Sequence, residues 1–345
     1  MPITGLNEQQ LVVVTGATGF IAQHCVQQLV RRGYRVRATT RSLSRAESLR
    51  GILVSNAEES SRLGFRAADL TKDEGWQGVL DGAVYVLHLA CPVPVGRPRD
   101  ESEVMIPAVE GTMRVLRAAA EAGVRRVVHT SSIAAVLSGV ERLPGAIFTE
   151  ADWSDPEGQI GAYAKSKTLA ERAAWEFQAG LPEPRRFELC AANPVYVIGP
   201  SLDGRPNASN EIIGKLVHRE LPGLPRLYFP VVDVRDVAAA HLLAMTDERA
   251  AGERFILSAH EAWYGELAAI LRAGGHRVPT HTLPDWVIRV VGRLHARTRE
   301  VIPGLGWEFH PSSEKARRVL GWRTRPLRET VLDAATSILT TARRS

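Results

Sequence analysis

The sequence predicts an α/β fold: a Rossmann-type doubly wound parallel sheet with a smaller, mostly helical C-terminal lobe. Strand-length apolar segments alternate with helical segments five times over residues 11–132, which is typical of βαβ units in a parallel sheet. A glycine-rich turn joins the first strand to the first helix, as in folds that bind dinucleotides. Beyond residue 200, short helical segments with proline-rich joints replace the alternation.

The first predicted strand, residues 11–14, is a continuous apolar run that is typical of a buried parallel strand. It breaks at Gly16, and an amphipathic helix is predicted over residues 20–32. Glycine has no Cβ atom, so the turn can be tight and a pyrophosphate can approach the N–H groups at the helix start. Ala22 replaces the usual third glycine and is its smallest substitute. The predicted cofactor contacts of this turn are Gly16, Thr18, Gly19, Phe20 and Ile21.

The end of the second predicted strand, residues 34–41, indicates which dinucleotide fits. An acidic residue here would hydrogen-bond the ribose hydroxyls of NAD, but this strand ends in Thr-Thr-Arg. A guanidinium pairs with a phosphate through two parallel hydrogen bonds. Arg41, with Arg37 and Arg45 nearby, therefore favours NADP or NADPH. A solvated arginine at a strand end is the alternative interpretation.

Polar or small residues also end the next three predicted strands, at the edge where open parallel sheets bind ligands. Asp69 can accept a hydrogen bond from an adenine amino group or cap the next helix. Ala90 is small enough for a cofactor to lie against it, and Ser132 ends the fifth strand. His88 lies within a strand and is interpreted as a packed structural residue.

A helix predicted over residues 163–179 opens with Tyr163 and Lys167, which lie four positions apart and so share one helix face. An adjacent ammonium favours the phenolate form of a tyrosine and makes it a better acid–base group near neutral pH. Such pairs also arise by chance on many helices. Here a glycine turn and the strand end at Ser132, which can stabilise charge on a substrate oxygen, precede the pair. This order favours a catalytic role.

Three segments, taken in order, resemble the extended short-chain dehydrogenase/reductases: residues 15–22, residues 130–132 and residues 163–167. Within that family the chain looks like the branch of dihydroflavonol reductases and yeast-type aldehyde or ketone reductases. The likeness covers about the first 260 residues and is weak afterwards. The segments that favour this branch are residues 33–41, 163–175, 193–200 and 232–238.

The resemblance implies NADPH-dependent reduction of an aldehyde or ketone to the alcohol. Tyr163 matches the general acid, and Lys167 matches the residue that tunes it and holds the nicotinamide ribose. Ser132, rather than Ser131, matches the serine that orients the carbonyl, and Arg41 matches the residue that holds the 2′-phosphate. The other residues that match cofactor-lining positions are Asp69, Leu70, Leu89, Ala90, Pro194, Val197 and, more loosely, Ser209.

The chain departs from the family pattern at three places. Glu110 stands where many short-chain reductases use an asparagine for a proton relay, although the dihydroflavonol branch shares this acid. Leu137 stands where the flavonoid enzymes carry an asparagine, which argues against a polyphenol substrate. The cinnamoyl-CoA reductase signature is absent, because Gln-Ile-Gly-Ala precedes Tyr163.

The predicted domain organisation has an NADP-binding domain at residues 1–200, to whose core residues 228–260 return, and a mainly substrate-binding lobe at residues 201–345. A helical lobe folded over the strand ends would enclose a substrate cleft. For each candidate lining residue, a place in the core is the alternative. The candidates are Leu137, Tyr196, Leu224, Leu227, Tyr228 and Phe229.

Composition excludes several other classes of protein. The net charge of +5 comes from scattered arginines without interleaved aromatic residues, so no nucleic-acid partner is expected. The longest apolar runs have strand length, so no membrane span is expected. Cys25, Cys91 and Cys190 lie far apart, which predicts reduced thiols, no metal site and a cytoplasmic location.

The expected partner is a small carbonyl substrate with an apolar body, and the expected assembly is a monomer or homodimer. Three alternatives remain: a hydroxysteroid-type dehydrogenase, a nucleotide-sugar epimerase or dehydratase, and a non-catalytic NADP sensor. Arg41 in place of an acid argues against the sugar enzymes, which usually retain NAD. The intact set of Ser132, Tyr163 and Lys167 argues against the sensor.

Overall fold

The computed structural model describes residues 10–91, 100–141, 143, 145–205 and 207–342. The strands are β1 (Leu11–Thr15), β2 (Arg35–Thr40), β3 (Leu63–Ala67), β4 (Tyr85–His88), β5 (Arg126–Thr130), β6 (Ala146–Phe148), β7 (Glu188–Pro194), β8 (Tyr196–Ile198), β9 (Tyr228–Asp233), β10 (Arg254–Leu257), β11 (His260–Trp263) and β12 (Phe309–Pro311). The helices are α1 (Phe20–Arg31), α2 (Leu43–Leu53), α3 (Ala57–Arg62), α4 (Trp76–Leu80), α5 (Ser102–Glu121), α6 (Ala134–Leu137), α7 (Gly161–Gly180), α8 (Glu211–Val217), α9 (Val234–Thr246), α10 (Tyr264–Ala273), α11 (Asp285–Leu294), α12 (Ala296–Val301), α13 (Glu314–Leu320) and α14 (Leu327–Ala342).

Within these described ranges, seven strands form a parallel sheet in the order β10-β7-β5-β4-β1-β2-β3. The predicted doubly wound sheet is therefore confirmed. Strand β1 lies at the point where the chain changes direction across the sheet, since Val12 is paired with Val36 of β2 on one side and Tyr85 of β4 on the other. Ligands of doubly wound sheets bind at the carboxyl ends of the strands at this point.

Helices cover both faces of the sheet, which explains why β1 is apolar at every position. Successive side chains of a strand point to opposite faces. Val12 and Val14 pack in one core cluster with Leu29 of α1, whereas Val13 packs in a second cluster with Leu116 of α5. All three valines are fully buried. The sequence pattern thus determines a two-sided core around β1.

The last third of the chain contains strands that the sequence analysis did not predict. Strand β10 joins the main sheet beside β7, and β8, β9 and β11 form a smaller sheet. Strand β12 pairs with β6. Helices α8, α10 and α14 pack on the smaller sheet in a separate core cluster. The prediction of short helices with proline-rich joints beyond residue 200 did not include these strands, because strands this short carry little periodic signal; the division into domains, with the return of residues 228–260 to the core, stays a prediction.

Among the residues described, no helix has the length and apolar character needed to cross a membrane.

Candidate active site

The β1–α1 turn requires glycine for two separate reasons. Gly16 has a φ of +72°, and a Cβ atom there would lie 3.1 Å from the Cα and Cβ atoms of Ala90. The turn is closed by a hydrogen bond from the Gly19 N–H to the Gly16 carbonyl at 2.8 Å. Helix α1 then begins without a side-chain cap, so N–H groups of its first turn are available to an anion. These residues fit the pyrophosphate of a dinucleotide.

Arg41 directly follows β2 at the carboxyl edge of the sheet, where it is exposed. Arg37, on the same strand, instead donates to the carbonyl groups of Val79 and Asp81 at 2.7 and 2.8 Å and is therefore occupied by the fold. The exposed guanidinium of Arg41 fits a 2′-phosphate, since no acidic residue ends β2. Its role in cofactor binding stays a prediction.

Asp69 accepts hydrogen bonds within a local turn. Its carboxylate accepts from the N–H and the hydroxyl of Thr71, both at 2.9 Å. The Thr71 N–H is the main cause of the lowered pKa of Asp69, and the charge of Arg41 contributes to it. Arg41 and Asp69 are therefore neighbours at this edge of the sheet. The prediction that Asp69 caps the next helix is wrong, because that helix, α4, has Gly75 as its N-cap; a contact with adenine stays a prediction.

The two serines after β5 have different partners. The Ser131 hydroxyl donates to Glu171 Oε2 at 2.5 Å. The Ser132 hydroxyl oxygen accepts from the Ala134 N–H at 3.1 Å, at the start of α6, which leaves its own proton available. Of the two, Ser132 has the hydroxyl group that can donate to a substrate.

Helix α7 carries Tyr163 and Lys167 into the same cleft. Tyr163 is 57% exposed, whereas Lys167 is buried and its Nζ donates to the Thr130 carbonyl at 3.2 Å. Burial lowers the pKa of Lys167, but Cys91, Tyr163 and Glu171 outweigh it and raise the pKa above its ordinary value. The lysine is therefore held as an ammonium beside an accessible phenol.

Most predicted site residues line one cleft of about 260 Å³ at the carboxyl edge of the sheet. It also contains Val195, which lies within the predicted cofactor-lining segment 194–197, and residues that the sequence did not single out for cofactor binding: Ala22, Thr130, Ser131, Asn207 and Ala208. The predicted residues that it brings together are Gly16, Gly19, Phe20, Ile21, Leu89, Ser132, Tyr163, Lys167, Pro194, Val197 and Ser209.

Three further predicted cofactor contacts lie close to the turn or the sheet edge without lining this cleft. The Thr18 carbonyl accepts from the Gln23 side chain at 3.2 Å. The Ala90 N–H donates to the Thr15 hydroxyl at 2.9 Å. The Leu70 side chain is buried in the core that includes α5, and its carbonyl accepts from Arg114 Nη1 at 3.0 Å. Their contacts with a cofactor stay predictions.

A larger cavity of about 530 Å³ adjoins the cleft and shares Asn207 and Ala208 with it. It lies between the loop that precedes α8, helix α8 itself, and Ser337 and Ile338 of α14. None of the candidate catalytic residues lines it. We therefore place the chemistry in the smaller cleft.

The predicted substrate-lining residues divide into two groups. Tyr196 is 42% exposed and its ring packs edge-on against Phe229; Leu137 is half-buried. Leu224, Tyr228 and Phe229 are buried in core clusters. Their interpretation as cleft lining is therefore corrected to the core alternative, because the smaller sheet and its helices enclose them.

Sequence reasoning missed a buried polar network beneath the cleft. Glu171 accepts from Arg254 Nε at 2.7 Å and from Asn193 Nδ2 at 2.8 Å. Glu171 lies four residues after Lys167 on the same helix face, and Asn193 directly precedes Pro194, so local signals were available for both. No local pattern marks Arg254, which reaches the helix only through the tertiary fold.

Comparison with known proteins identifies the family. The sequence profile of the NAD dependent epimerase/dehydratase family matches residues 12–258. The chain belongs to this family. The resemblance to the extended short-chain dehydrogenase/reductases is thereby confirmed.

The relatives of this family member include named reductases. It is 33% identical to the NADPH-dependent methylglyoxal reductase GRE2 of Saccharomyces cerevisiae, with 95% of this chain and 98% of that protein covered. It is 38% identical to cinnamoyl-CoA reductase 1 of Arabidopsis thaliana, with 86% and 84% covered. Similarity to cinnamoyl-CoA reductases thus extends over most of the chain, although their signature before Tyr163 is absent.

A solved structure supports the same relationship. The crystal structure of yeast methylglyoxal/isovaleraldehyde reductase Gre2 complexed with NADPH superimposes with a TM-score of 0.80 at 30% identity. The match covers 97% of this chain and 100% of that one. The whole fold, including the C-terminal lobe, therefore has a counterpart in a reductase that binds NADPH.

Proposed function

We propose that this protein reduces an aldehyde or ketone to the corresponding alcohol with NADPH. The observation that carries this function is the single cleft lined by the glycine turn, Ser132, Tyr163 and Lys167. The named activity of the methylglyoxal reductase relative and the NADPH in its structure support the same reaction. NADPH supplies the hydride when bound.

The residues of the cofactor site hold the two phosphate-bearing parts of that dinucleotide. The N–H groups at the start of α1 bind the pyrophosphate, because they carry partial positive charge and Gly16 and Gly19 allow a close approach. Arg41 binds the 2′-phosphate through its guanidinium. The surfaces of Pro194 and Val197 border the nicotinamide end, where they line the cleft with the catalytic residues.

The catalytic residues control the proton and the charge on the substrate oxygen. Tyr163 gives its Oη proton to that oxygen as hydride reaches the carbonyl carbon. The Lys167 ammonium stabilises the resulting phenolate. Ser132 donates a hydrogen bond to the same substrate oxygen and stabilises the charge that develops on it. The product is the neutral alcohol.

The substrate is a small carbonyl compound with an apolar body, and the predicted lining residues that could contact it are Tyr196, which is 42% exposed, and Leu137, which is half-buried. We further propose a cytoplasmic monomer or homodimer with reduced cysteines, since none of Cys25, Cys91 and Cys190 forms a disulfide among the described residues. Arg41 favours this reductase over a nucleotide-sugar epimerase or dehydratase that retains NAD.

The decisive variant is Tyr163→Phe, assayed on methylglyoxal, isovaleraldehyde and bulkier ketones with NADPH and with NADH. We expect turnover to fall by about a hundredfold to ten-thousandfold, the usual contribution of a general acid. NADPH binding, measured by nicotinamide fluorescence, should stay nearly unchanged. Lys165→Met is the matched control, because Lys165 lies on the same helix and pairs with Glu101 at 3.2 Å instead. Full activity of Tyr163→Phe would refute the mechanism.

A further inference from the structure

We propose that Glu171, paired with Arg254, is a positioning residue that fixes the catalytic helix and two strand ends against one another. The inference rests on the proposed reductase function, because it assigns a role in the same site. Neither residue lines the cleft; both act through the residues that they hold.

Glu171 occupies the face of α7 that also bears Tyr163 and Lys167. It follows Lys167 by one helical turn and Tyr163 by two, and it is fully buried. Both oxygens of its carboxylate have donors. Oε1 accepts from Arg254 Nε at 2.7 Å, and Oε2 accepts from the Ser131 hydroxyl at 2.5 Å and Asn193 Nδ2 at 2.8 Å.

These donors are adjacent to residues that form the site. Ser131 directly precedes Ser132, so its hydrogen bond to Glu171 fixes the chain at the end of β5. Ser132, the next residue, lines the cleft. Asn193 Nδ2 donates to the Ser132 carbonyl as well, at 3.2 Å. Asn193 also precedes Pro194, which lines the cleft. One carboxylate therefore joins α7, β5 and β7.

Arg254 extends the same connection to the segment before α7. Its Nη1 donates to the carbonyl groups of Glu150 and Asp152, each at 2.8 Å. Its guanidinium stacks on Trp153, with 3.7 Å between Cζ and the ring centroid. Arg254 thus fixes the segment that precedes α7 to β10 through Nη1, while its Nε binds Glu171 on α7 itself.

Stability alone is a weak explanation for this arrangement. A buried ion pair loses hydration that an apolar pair of similar volume does not lose, so it is often no more stabilising than that pair. An apolar pair, however, has no atoms that can orient a serine, an asparagine and two carbonyl groups. Catalysis depends on such orientation, because small displacements of reacting groups reduce rates strongly.

The test compares Arg254→Met with Arg126→Met. Arg126 is also buried, pairs with Glu188 at 2.7 Å and donates to main-chain carbonyl groups, but it begins β5 at the edge opposite the cleft. Both variants should unfold at a lower temperature. Below that transition, only Arg254→Met should lose kcat, by about tenfold or more, while its KM for NADPH changes little. Amide hydrogen exchange over residues 161–167 should accelerate only in Arg254→Met.

A second variant keeps the test decisive if Arg254→Met does not fold. Ser131→Ala removes one donor to Glu171 without leaving an unpaired charge. We expect a smaller loss of kcat, with faster exchange over residues 161–167. Wild-type kcat and exchange in a folded Arg254→Met or Ser131→Ala protein would overturn the inference. A wild-type protein that reduces none of the carbonyl compounds would instead refute the proposed function, and the exchange comparison would still decide whether the pair anchors α7.

Discussion

Strand β5 has an arginine–glutamate pair near each of its ends, and the arginine of each pair is buried. At its start, Arg126 and Glu188 are joined at 2.7 Å and connect β5, β7 and the end of α9. Near its carboxyl end, Arg254 and Glu171 are joined at 2.7 Å, and Ser131 donates to the same glutamate. The chemistry of the two pairs is alike. They differ in what they hold, since only the second is connected to the residues that line the cleft.

This difference indicates a division between stability and catalysis along β5: the amino end contributes to stability, and the carboxyl end contributes to the site. Changes at the amino end should alter the free energy of unfolding and leave turnover intact. Changes at the carboxyl end should alter turnover or cofactor affinity more than stability, because the strand ends there meet the β1–α1 turn and α7 in one cleft. Each of the following predictions can contradict or sharpen that division.

Among the changes along β5 and the neighbouring strand ends, the largest effect is expected from Ser132→Ala at the carboxyl end of β5. Loss of one hydrogen-bond donor to a developing oxyanion typically lowers kcat by about a hundredfold to a thousandfold. The fold should tolerate the change, because the Ser132 hydroxyl oxygen has a single described donor, the Ala134 N–H. Steady-state kinetics and thermal unfolding measure the two quantities. A variant that unfolds earlier but keeps its kcat would contradict the division.

Arg41→Ala should have the next largest effect, on cofactor choice. A hydrogen bond to a charged group contributes about 1.5–3 kcal/mol, so affinity for NADPH should fall by roughly tenfold to a hundredfold. Affinity for NADH should hardly change, because NADH lacks the 2′-phosphate. Arg37→Ala is the control, since Arg37 donates to main-chain carbonyl groups of the fold. Equal losses for the two cofactors would remove the argument for NADPH.

The smallest effect concerns pH and a buried histidine of β5. Burial lowers the pKa of His129 to about 3, and it lowers the pKa values of His24 and His241 to about 4. In the unfolded chain these histidines take up protons near pH 6.5, whereas in the folded protein they stay neutral until the pH is close to their lowered pKa values. Stability should therefore be fully present above pH 6.5 and decrease as pH falls toward 4, by about 1.4 kcal/mol per pH unit for each histidine.

His129→Phe tests this dependence. Neither ring nitrogen of His129 has a hydrogen-bond partner among the described residues, so the substitution removes a titrating group without breaking a hydrogen bond. Urea unfolding between pH 7 and pH 4.5 should show a slope reduced by about one proton. If the pH dependence of the free energy of unfolding is unchanged in His129→Phe, burial of His129 in β5 does not reduce stability at low pH.

The parts of the site that were predictable from the sequence are those formed by residues close together in the chain. The β1–α1 turn was predictable because its glycines, strand and helix are adjacent in the chain, and Gly16 needs its φ of +72° whatever surrounds it. Tyr163 and Lys167 were predictable for the same reason, since helical spacing alone places them on one face. The smaller sheet was missed because β8 has only three residues and β11 only four, too few for a periodic signal.

Sequence alone determined the parallel sheet, its glycine turn and the shared helix face of Tyr163 and Lys167, because hydrophobic period, glycine conformation and helix spacing act within a few residues. Tertiary structure decided which serine is free, since Glu171 takes the hydroxyl of Ser131 and leaves that of Ser132. It also decided that Tyr228 and Phe229 are core residues and that Arg254 donates to Glu171 of α7 from 83 residues away. Burial and hydrogen-bond partners across such distances depend on the packed fold, and no local pattern records them.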